Sequence, residues 1–346
     1  MTTPCVSAGP LSERFFQRGR DFLGCRHPVI CGAMTWVSDP NLVAAVHAAG
    51  GFGCLAGGNA PADILERQIA ETRERTNNVF GVNVIVIAPA YKTHLELIRR
   101  AKPPFIIFAG SFPHEREVRQ IKETGAKVLC FASTQSIAER MIRYGADGLI
   151  LEGSESGGHI GHVALSVLLQ QVLFTCGDKV PVFVAGGVGT ARMCAHLFLM
   201  GAAGVQLGTR FAASLESCAH AKFKDMFLRA EARDAVSTPQ FDSRLPVVAV
   251  RALRNKGHEE FRKLQLGLVQ QLEAGTIHRE QAQMEVEKFW MGALRRAVID
   301  GDVDNGSLMA GQSVGLIKRI ESVADIMKDL VTGTEAELQR VKASLA

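Results

Sequence analysis

Gly148-Leu-Ile-Leu-Glu-Gly-Ser-Glu-Ser-Gly-Gly-His-Ile-Gly-His162 joins a short apolar run to a loop of glycines, carboxylates and imidazoles. The run Gly148 to Leu151 has the length and continuity of a strand buried on both faces. The loop beyond it is poor core material. Glycine packs little and costs backbone entropy, but it lets a ligand approach the backbone closely. Imidazole is the side chain best suited to proton transfer near neutral pH. A buried strand opening into such a loop sets a ligand and a proton handler at its C-terminal end.

The same unit recurs in both directions. Upstream, Pro28-Val-Ile-Cys31, Phe52-Gly-Cys-Leu55, Phe80-Gly-Val-Asn-Val-Ile-Val86, Phe105-Ile-Ile-Phe108 and Lys127-Val-Leu-Cys-Phe131 read as strands. Downstream come Val180-Pro-Val-Phe-Val184 and Gly204-Val-Gln-Leu207. Helical spacing alternates with them over 41–50, 62–76, 93–101, 114–124, 134–144, 164–175 and 190–200. Continuous apolar strands alternating with helices mean a parallel sheet covered on both faces. Eight units in roughly 180 residues predict an α/β fold of the closed TIM (β/α)8 barrel type. An open doubly wound sheet would use fewer units and one dominant glycine-rich turn after its first strand. Gly51-x-Gly53-x-x-Ala56 is the nearest match to that turn, but it runs through a strand rather than out of one.

Residues 1–25 are polar and mixed, an arm or short helix ahead of the fold. From about Lys222 the alternation stops and only helical patterns remain, as over 259–273 and 279–299. That length exceeds an ordinary loop. The expected organisation is a barrel with its arm over 1–221 and a C-terminal helical cap or insert on the substrate side over 222–300. A return segment over 301–346, with a last helix over 320–330, closes on the barrel.

Composition narrows the function. The 346 residues are 47% hydrophobic and 21% charged, with a formal net charge of +4. This mild excess, without a Lys/Arg block, argues against nucleic acid. Eight scattered cysteines (Cys5, Cys25, Cys31, Cys54, Cys130, Cys176, Cys194 and Cys218) form no Cys-x-x-Cys, which fits a reducing compartment without disulfides or zinc. No apolar run reaches membrane-spanning length and no signal pattern opens the chain, so a cytoplasmic protein with no membrane partner is expected.

In such barrels the active site lies where strands end and helices begin. Small residues gather there: Gly32-Ala-Met34, Ala56-Gly-Gly58, Asn83, Ala109-Gly110, Ala132-Ser133, Glu152 to His162, Ala185-Gly-Gly-Val-Gly189 and Gly208-Thr-Arg210. Gly186-Gly187 leads toward a helix at Thr190, and Gly208-Thr209 follows the eighth strand. Loops after the last two strands commonly seat a phosphate on backbone N–H groups. The absence of Gly-x-x-x-x-Gly-Lys-Ser/Thr disfavours a nucleoside triphosphate. His159 is the candidate acid/base; the plainer alternative is a histidine bonded to backbone. Glu152 can accept from a ligand or serve a buried ion pair. His162, with Glu155 nearby, makes a His-x-x-His pair, but a glycine-loosened loop is a poor zinc site and no metal is expected. The Arg251 and Arg254 pair suits phosphate groups, or else is solvated helix charge. Lys256, Arg262 and Lys263 read as solvated charge.

The segments 28–55, Phe80-Gly-Val-Asn83, Gly145-Ala-Asp147, Glu152 to Gly161, Pro181 to Gly187 and Gly204 to Phe211 together resemble the nitronate monooxygenase (2-nitropropane dioxygenase) superfamily. Within it, Gly57-Gly-Asn-Ala-Pro61, Ala249-Val-Arg-Ala-Leu-Arg-Asn255 and Gly301 to Gln312 look like FMN-dependent enoyl-acyl-carrier-protein reductase II. One departure stands out. The family's first strand usually ends Gln-Gly-Gly-Met or Gln-Ala-Pro-Met, where this chain has Cys31-Gly-Ala-Met34, so a donor near the flavin is expected to be lost.

The resemblance implies FMN, with its phosphate on Gly186, Gly187, Gly208 and Thr209. Gly32, Ala33, Met34, Asn83, Glu152 and Gly158 line its chain and ring, Met309 and Gln312 narrow access, and His159 is catalytic. It implies NADH or NADPH as co-substrate and a trans-2-enoyl thioester, free or on acyl carrier protein, as substrate of a homodimer. Nitronate oxidation with oxygen and quinone reduction are the alternatives within the superfamily.

Overall fold

The computed structural model describes residues 6–58, 60–245 and 248–345. Cys5, Asn59 and the first residues of the arm lie outside the described residues. Eight parallel strands close a barrel in the order β1 (Val29–Cys31), β2 (Phe52–Ala56), β3 (Gly81–Ile85), β4 (Phe105–Ala109), β5 (Lys127–Ala132), β6 (Gly148–Glu152), then β8 (Val182–Ala185) and β9 (Gly204–Leu207), which returns to β1. All eight expected strands are present. Between β6 and β8 the chain makes a two-residue strand, β7 (Gly158–His159), outside the barrel.

Alternation along the strands sorts two apolar layers. Ile30, Phe52, Cys54, Phe105, Ile107, Leu129, Ile150 and Phe183 point inward and fill the barrel. Their neighbours Val82, Ile106, Val128, Leu149, Val182 and Val205 face the helices. Phe52 and Phe105 meet edge to face with ring centroids 5.0 Å apart, the geometry aromatic quadrupoles favour. The helices between strands begin at residues that satisfy free N–H groups. Asp39, Thr134 and Thr190 accept at 2.9, 3.2 and 3.2 Å from Leu42, Ile137 and Met193 N–H, caps worth about 1 kcal/mol each.

The N-terminal arm is a 14-residue helix, Pro10–Leu23, with a defined job. Leu23 and Phe22 plug the N-terminal mouth of the barrel, with the Phe22 ring 5.8 Å from those of both Phe105 and Phe183. The last helix runs Val323–Ser344, well beyond the expected 320–330, because Val331 and Leu338 keep its buried stripe going. Its Glu335 accepts from Ser12 N–H at 2.7 Å and ties the two ends of the chain together.

The segment after β9 is not purely helical, as the sequence led us to expect. Helices Ala221–Arg229, Lys256–Glu273 and Arg279–Val298 are joined by β10 (Ala235–Ser237) and β11 (Val250–Leu253). These form an antiparallel sheet in the order β10-β11-β7. Strands of three and four residues around a proline-bearing loop are too short to show a period of two. Leu268, Val286 and Trp290 give this region its own small core around Phe261.

Candidate active site

A cavity of about 580 Å³ opens at the C-terminal rim of the barrel, within the ~300–1,000 Å³ usual for small-molecule sites. It gathers Gly32, Ala33, Met34, Asn83, Glu152, Gly158, His159, Gly186, Gly187, Gly208, Thr209 and Met309. Gln312 is the expected site residue that does not line it. Gln312 opens a 3-10 turn, and its backbone N–H donates to the Glu155 carbonyl at 2.9 Å, so the return segment is laced to the loop after β6 while Gly311 and Ser313 face the cavity.

The loops after β8 and β9 form a cradle. Gly187 has φ +72°, and a Cβ built there would meet nothing closer than Glu155 Cβ at 3.4 Å, so the space above its backbone is open. Gly186 is opposite in character: a Cβ would lie 2.8 Å from the Gly153 carbonyl, because two loops press backbone to backbone. After β9, Thr209–Ala212 is a single helical turn capped by Gly208. Its first N–H groups have no partner within the turn and suit an anion. The Thr209 hydroxyl accepts from Gly311 N–H at 3.0 Å, which fixes the return segment against the cradle. The helix starting at Ala191, expected to aim at this site, does not. Thr190 caps it, and its first turn opens on a separate pocket shared with Arg210 and Arg340.

The loop after β6 is held from three sides. The Glu155 carboxylate accepts from Leu165 N–H at 3.0 Å and starts the next helix, which removes it from any metal set. Gly157 lies flush on the return segment, where a Cβ would sit 2.5 Å from the Gly311 nitrogen. His159 then pairs with Val250 and Gly158 with Arg251 across the small sheet. The histidine thus sits on a strand whose partner is about 90 positions later in the chain, rather than on a free loop. Its Nε2 lies 3.4 Å from Glu287 Oε1 of helix Arg279–Val298. Among the described residues no group of three or more His, Cys, Asp or Glu side chains could hold a metal ion.

Glu152 ends β6 with its carboxyl desolvated, which pushes its pKa up to about 8; the neighbouring Ser156 hydroxyl pulls the other way. At neutral pH it is a hydrogen-bond donor as well as an acceptor. Arg251 does not line the cavity. Its guanidinium donates to the Ser154 carbonyl at 3.0 and 3.1 Å and to the Ala235 carbonyl at 2.6 Å, bracing the small sheet against the glycine loop. Arg254 is exposed.

The lost glutamine of the first strand is also resolved. Cys31 pairs with Gly53, whose missing side chain would meet Val43 of the outer helix, so position 31 points into the helical layer rather than the site. Gln206, an inward residue of β9, stands against Gly32, with its amide nitrogen 3.0 Å from where a Cβ would be. This one polar residue in Gly204-Val-Gln-Leu207 was a legible signal that sequence reasoning passed over. Glu287 carried none, since its helix reads as an ordinary solvated pattern.

A closed eight-stranded parallel barrel whose C-terminal rim gathers open glycine backbone and an imidazole has the architecture of a (β/α)8 enzyme. The nitronate monooxygenase family model matches residues 17–93 and 85–333, nearly the whole chain, and the protein belongs to that family. A relative from Mycobacterium tuberculosis, (3aS,4S,5R,7aS)-5-hydroxy-7a-methyl-1-oxo-octahydro-1H-indene-4-carboxyl-CoA dehydrogenase, is 30% identical over 93% of this chain and 97% of its own. The structure of FabK from Thermotoga maritima is 36% identical, with a TM-score of 0.81 over 94% of this chain and 98% of the other. Nitroalkane oxidase from Streptomyces ansochromogenes is 25% identical, with a TM-score of 0.76 over 95% and 100%. The protein is an oxidoreductase of a flavin-dependent family. No helix among its described residues is long and apolar enough to cross a membrane.

Proposed function

We propose that the protein is an FMN-dependent reductase of trans-2-enoyl thioesters that draws its hydride from NADH or NADPH. The observation that carries this reading is the shape of the cavity. In the closed strand order β4 stands across the barrel from β9, and β5 from β1. Phe112, after β4, therefore lies across the mouth from the turn after β9; Phe131 and Ile137, on and after β5, continue an apolar side of the same cavity, and Val248, Ala249 and Leu294 of the insert line it too. A nitronate needs no such wall; an acyl chain does. Thioester chemistry is common to the CoA dehydrogenase relative and to FabK, an enoyl-acyl-carrier-protein reductase II.

The residues fit FMN. The open space over Gly187 and the free first turn at Thr209 suit its phosphate, while Met34, Asn83 and Glu152 line the way to the barrel centre. When bound, FMN supplies hydride transfer between nicotinamide and substrate. His159 would supply the matching proton: its imidazole takes a proton from solvent and passes it to the α-carbon, returning to the neutral form. Residues 222–300 act as the substrate-side cap, and the segment 301–346 closes it onto the rim.

The test is a substrate panel on purified protein with FMN quantified. Coenzyme oxidation with crotonyl-CoA or longer enoyl thioesters under anaerobic conditions, and little oxygen uptake with propyl-2-nitronate, is the expected result. The nitronate reading takes its support from the family and from the nitroalkane oxidase likeness. Rapid aerobic turnover of the nitronate, with no thioester-dependent coenzyme oxidation, would establish it instead.

A further inference from the structure

We propose that Glu287, on the cap, is a positioning residue for His159, so that the cap sets the orientation of the acid/base. The proposal rests on the reading of His159 as that group. Nε2 of His159 and Oε1 of Glu287 are 3.4 Å apart, with side chains only 21% and 12% exposed. Nε2 is buried and has no other hydrogen-bond partner. The pair is within ion-pair distance without meeting hydrogen-bond geometry, so Glu287 is the group placed to take that proton. Among the described residues Glu287 is the charged side chain found beside that nitrogen. Arg251, one residue along the partner strand, is spent on the Ser154 and Ala235 carbonyls.

The helix bearing Glu287 is itself pinned at a second point. Glu287, Met291, Leu294 and Arg295 fall on one helical face. Leu294 lines the cavity. The Met291 carbonyl accepts from Trp36 Nε1 at 3.3 Å, and the Arg295 guanidinium lies 6.0 Å from the Trp36 ring centre. Trp36 comes two residues after Met34 in the loop after β1 and holds φ +68°, a left-handed conformation unfavourable for a bulky residue. A strained rim residue is thus committed to the helix that presents Glu287. One straight element spans the mouth from the loop after β1 to the histidine strand.

The chemical consequence is specific. A carboxylate facing Nε2 keeps the proton there, and Nδ1 becomes the nitrogen that exchanges a proton with substrate. Without it the imidazole samples both tautomers and more than one orientation.

Nitrogen-15 spectra of histidine-labelled protein test this without any substrate, His159→Ala serving to assign the signal. Wild type should show the Nε2–H tautomer at neutral pH, and Glu287→Ala a mixture. An Nδ1–H tautomer in wild type, or an unchanged spectrum in the variant, overturns the proposal. Turnover of crotonyl-CoA gives a second arm. Glu287→Ala should lower kcat about tenfold with little change in KM, and lower it no more than about twofold further in a His159→Ala background. Equal losses in both backgrounds would make Glu287 merely structural. Glu287→Gln, which keeps the side-chain volume, repeats the cycle if the alanine variant unfolds. Full activity in His159→Ala alone would sink the acid/base assignment, while the nitrogen spectrum still decides the Glu287 contact.

Discussion

The two mouths of the barrel are made by the same eight strands and do opposite work. At the N-terminal mouth, Phe22 and Leu23 stack on Phe105 and Phe183, with Lys127 Nζ 4.7 Å above the Phe22 ring. Aromatic and aliphatic side chains fill that end, and the Lys127 ammonium also donates to the Phe22 carbonyl. At the C-terminal mouth the contacts are backbone on backbone: Gly186 against Gly153, Gly157 against Gly311. Side chains are withdrawn, and the space they vacate is the cavity. One mouth stores stability, whereas the other forgoes packing to expose N–H groups, a desolvated carboxyl and an imidazole.

If that division is right, perturbations at the two mouths should separate cleanly. The largest expected effect belongs to Glu152 in the flavin-free protein. Between its unfolded value of 4.5 and its folded value of about 8, the folded chain keeps a proton that the unfolded chain has released. Stability is therefore full below the first value and is lost as pH rises through the second, by roughly 5 kcal/mol in all. Urea melts across this range should show the decline, and Glu152→Gln should flatten it; a wild-type profile as flat as the variant's would return Glu152 to an ordinary carboxylate. Next, Phe52→Ala inside the barrel should cost about 3–5 kcal/mol yet leave the turnover of the folded fraction unchanged. A matching loss of flavin affinity would blur the distinction between the two mouths. His159→Ala should do the reverse, with an unaltered melting temperature, retained FMN and turnover down about 100-fold. The smallest expected effect is at Gly187. A valine there must hold φ +72° and fill the open cradle, weakening FMN retention about tenfold while the fold survives. Flavin release measured by fluorescence decides it, and wild-type retention would move the phosphate elsewhere.

The same division explains what could be read from the sequence. The barrel strands were legible because burial on both faces forces continuous apolar runs such as Phe105-Ile-Ile-Phe108. The rim was legible as glycine after those runs. The plug was not: Phe22 and Leu23 close a segment rich in arginines, and their role is visible only once Phe105 and Phe183 are in place. Arg251 was misread because a guanidinium that braces backbone carbonyls looks, in one dimension, like one waiting for phosphate. Cys31 was misread because the side-chain period of two turns position 31 outward. Glu287 was illegible in principle, since its meaning depends on a partner far away in the chain.

That separation also bears on how the molecule is made. His159 and Val250 pair across about 90 positions, and long-range pairings form late and slowly. A ribosome that has delivered all eight barrel strands has not yet delivered β11, so the histidine strand has no neighbour to register against. On the proposed roles, the cradle residues and the partner of the histidine strand therefore leave the ribosome at different moments of synthesis.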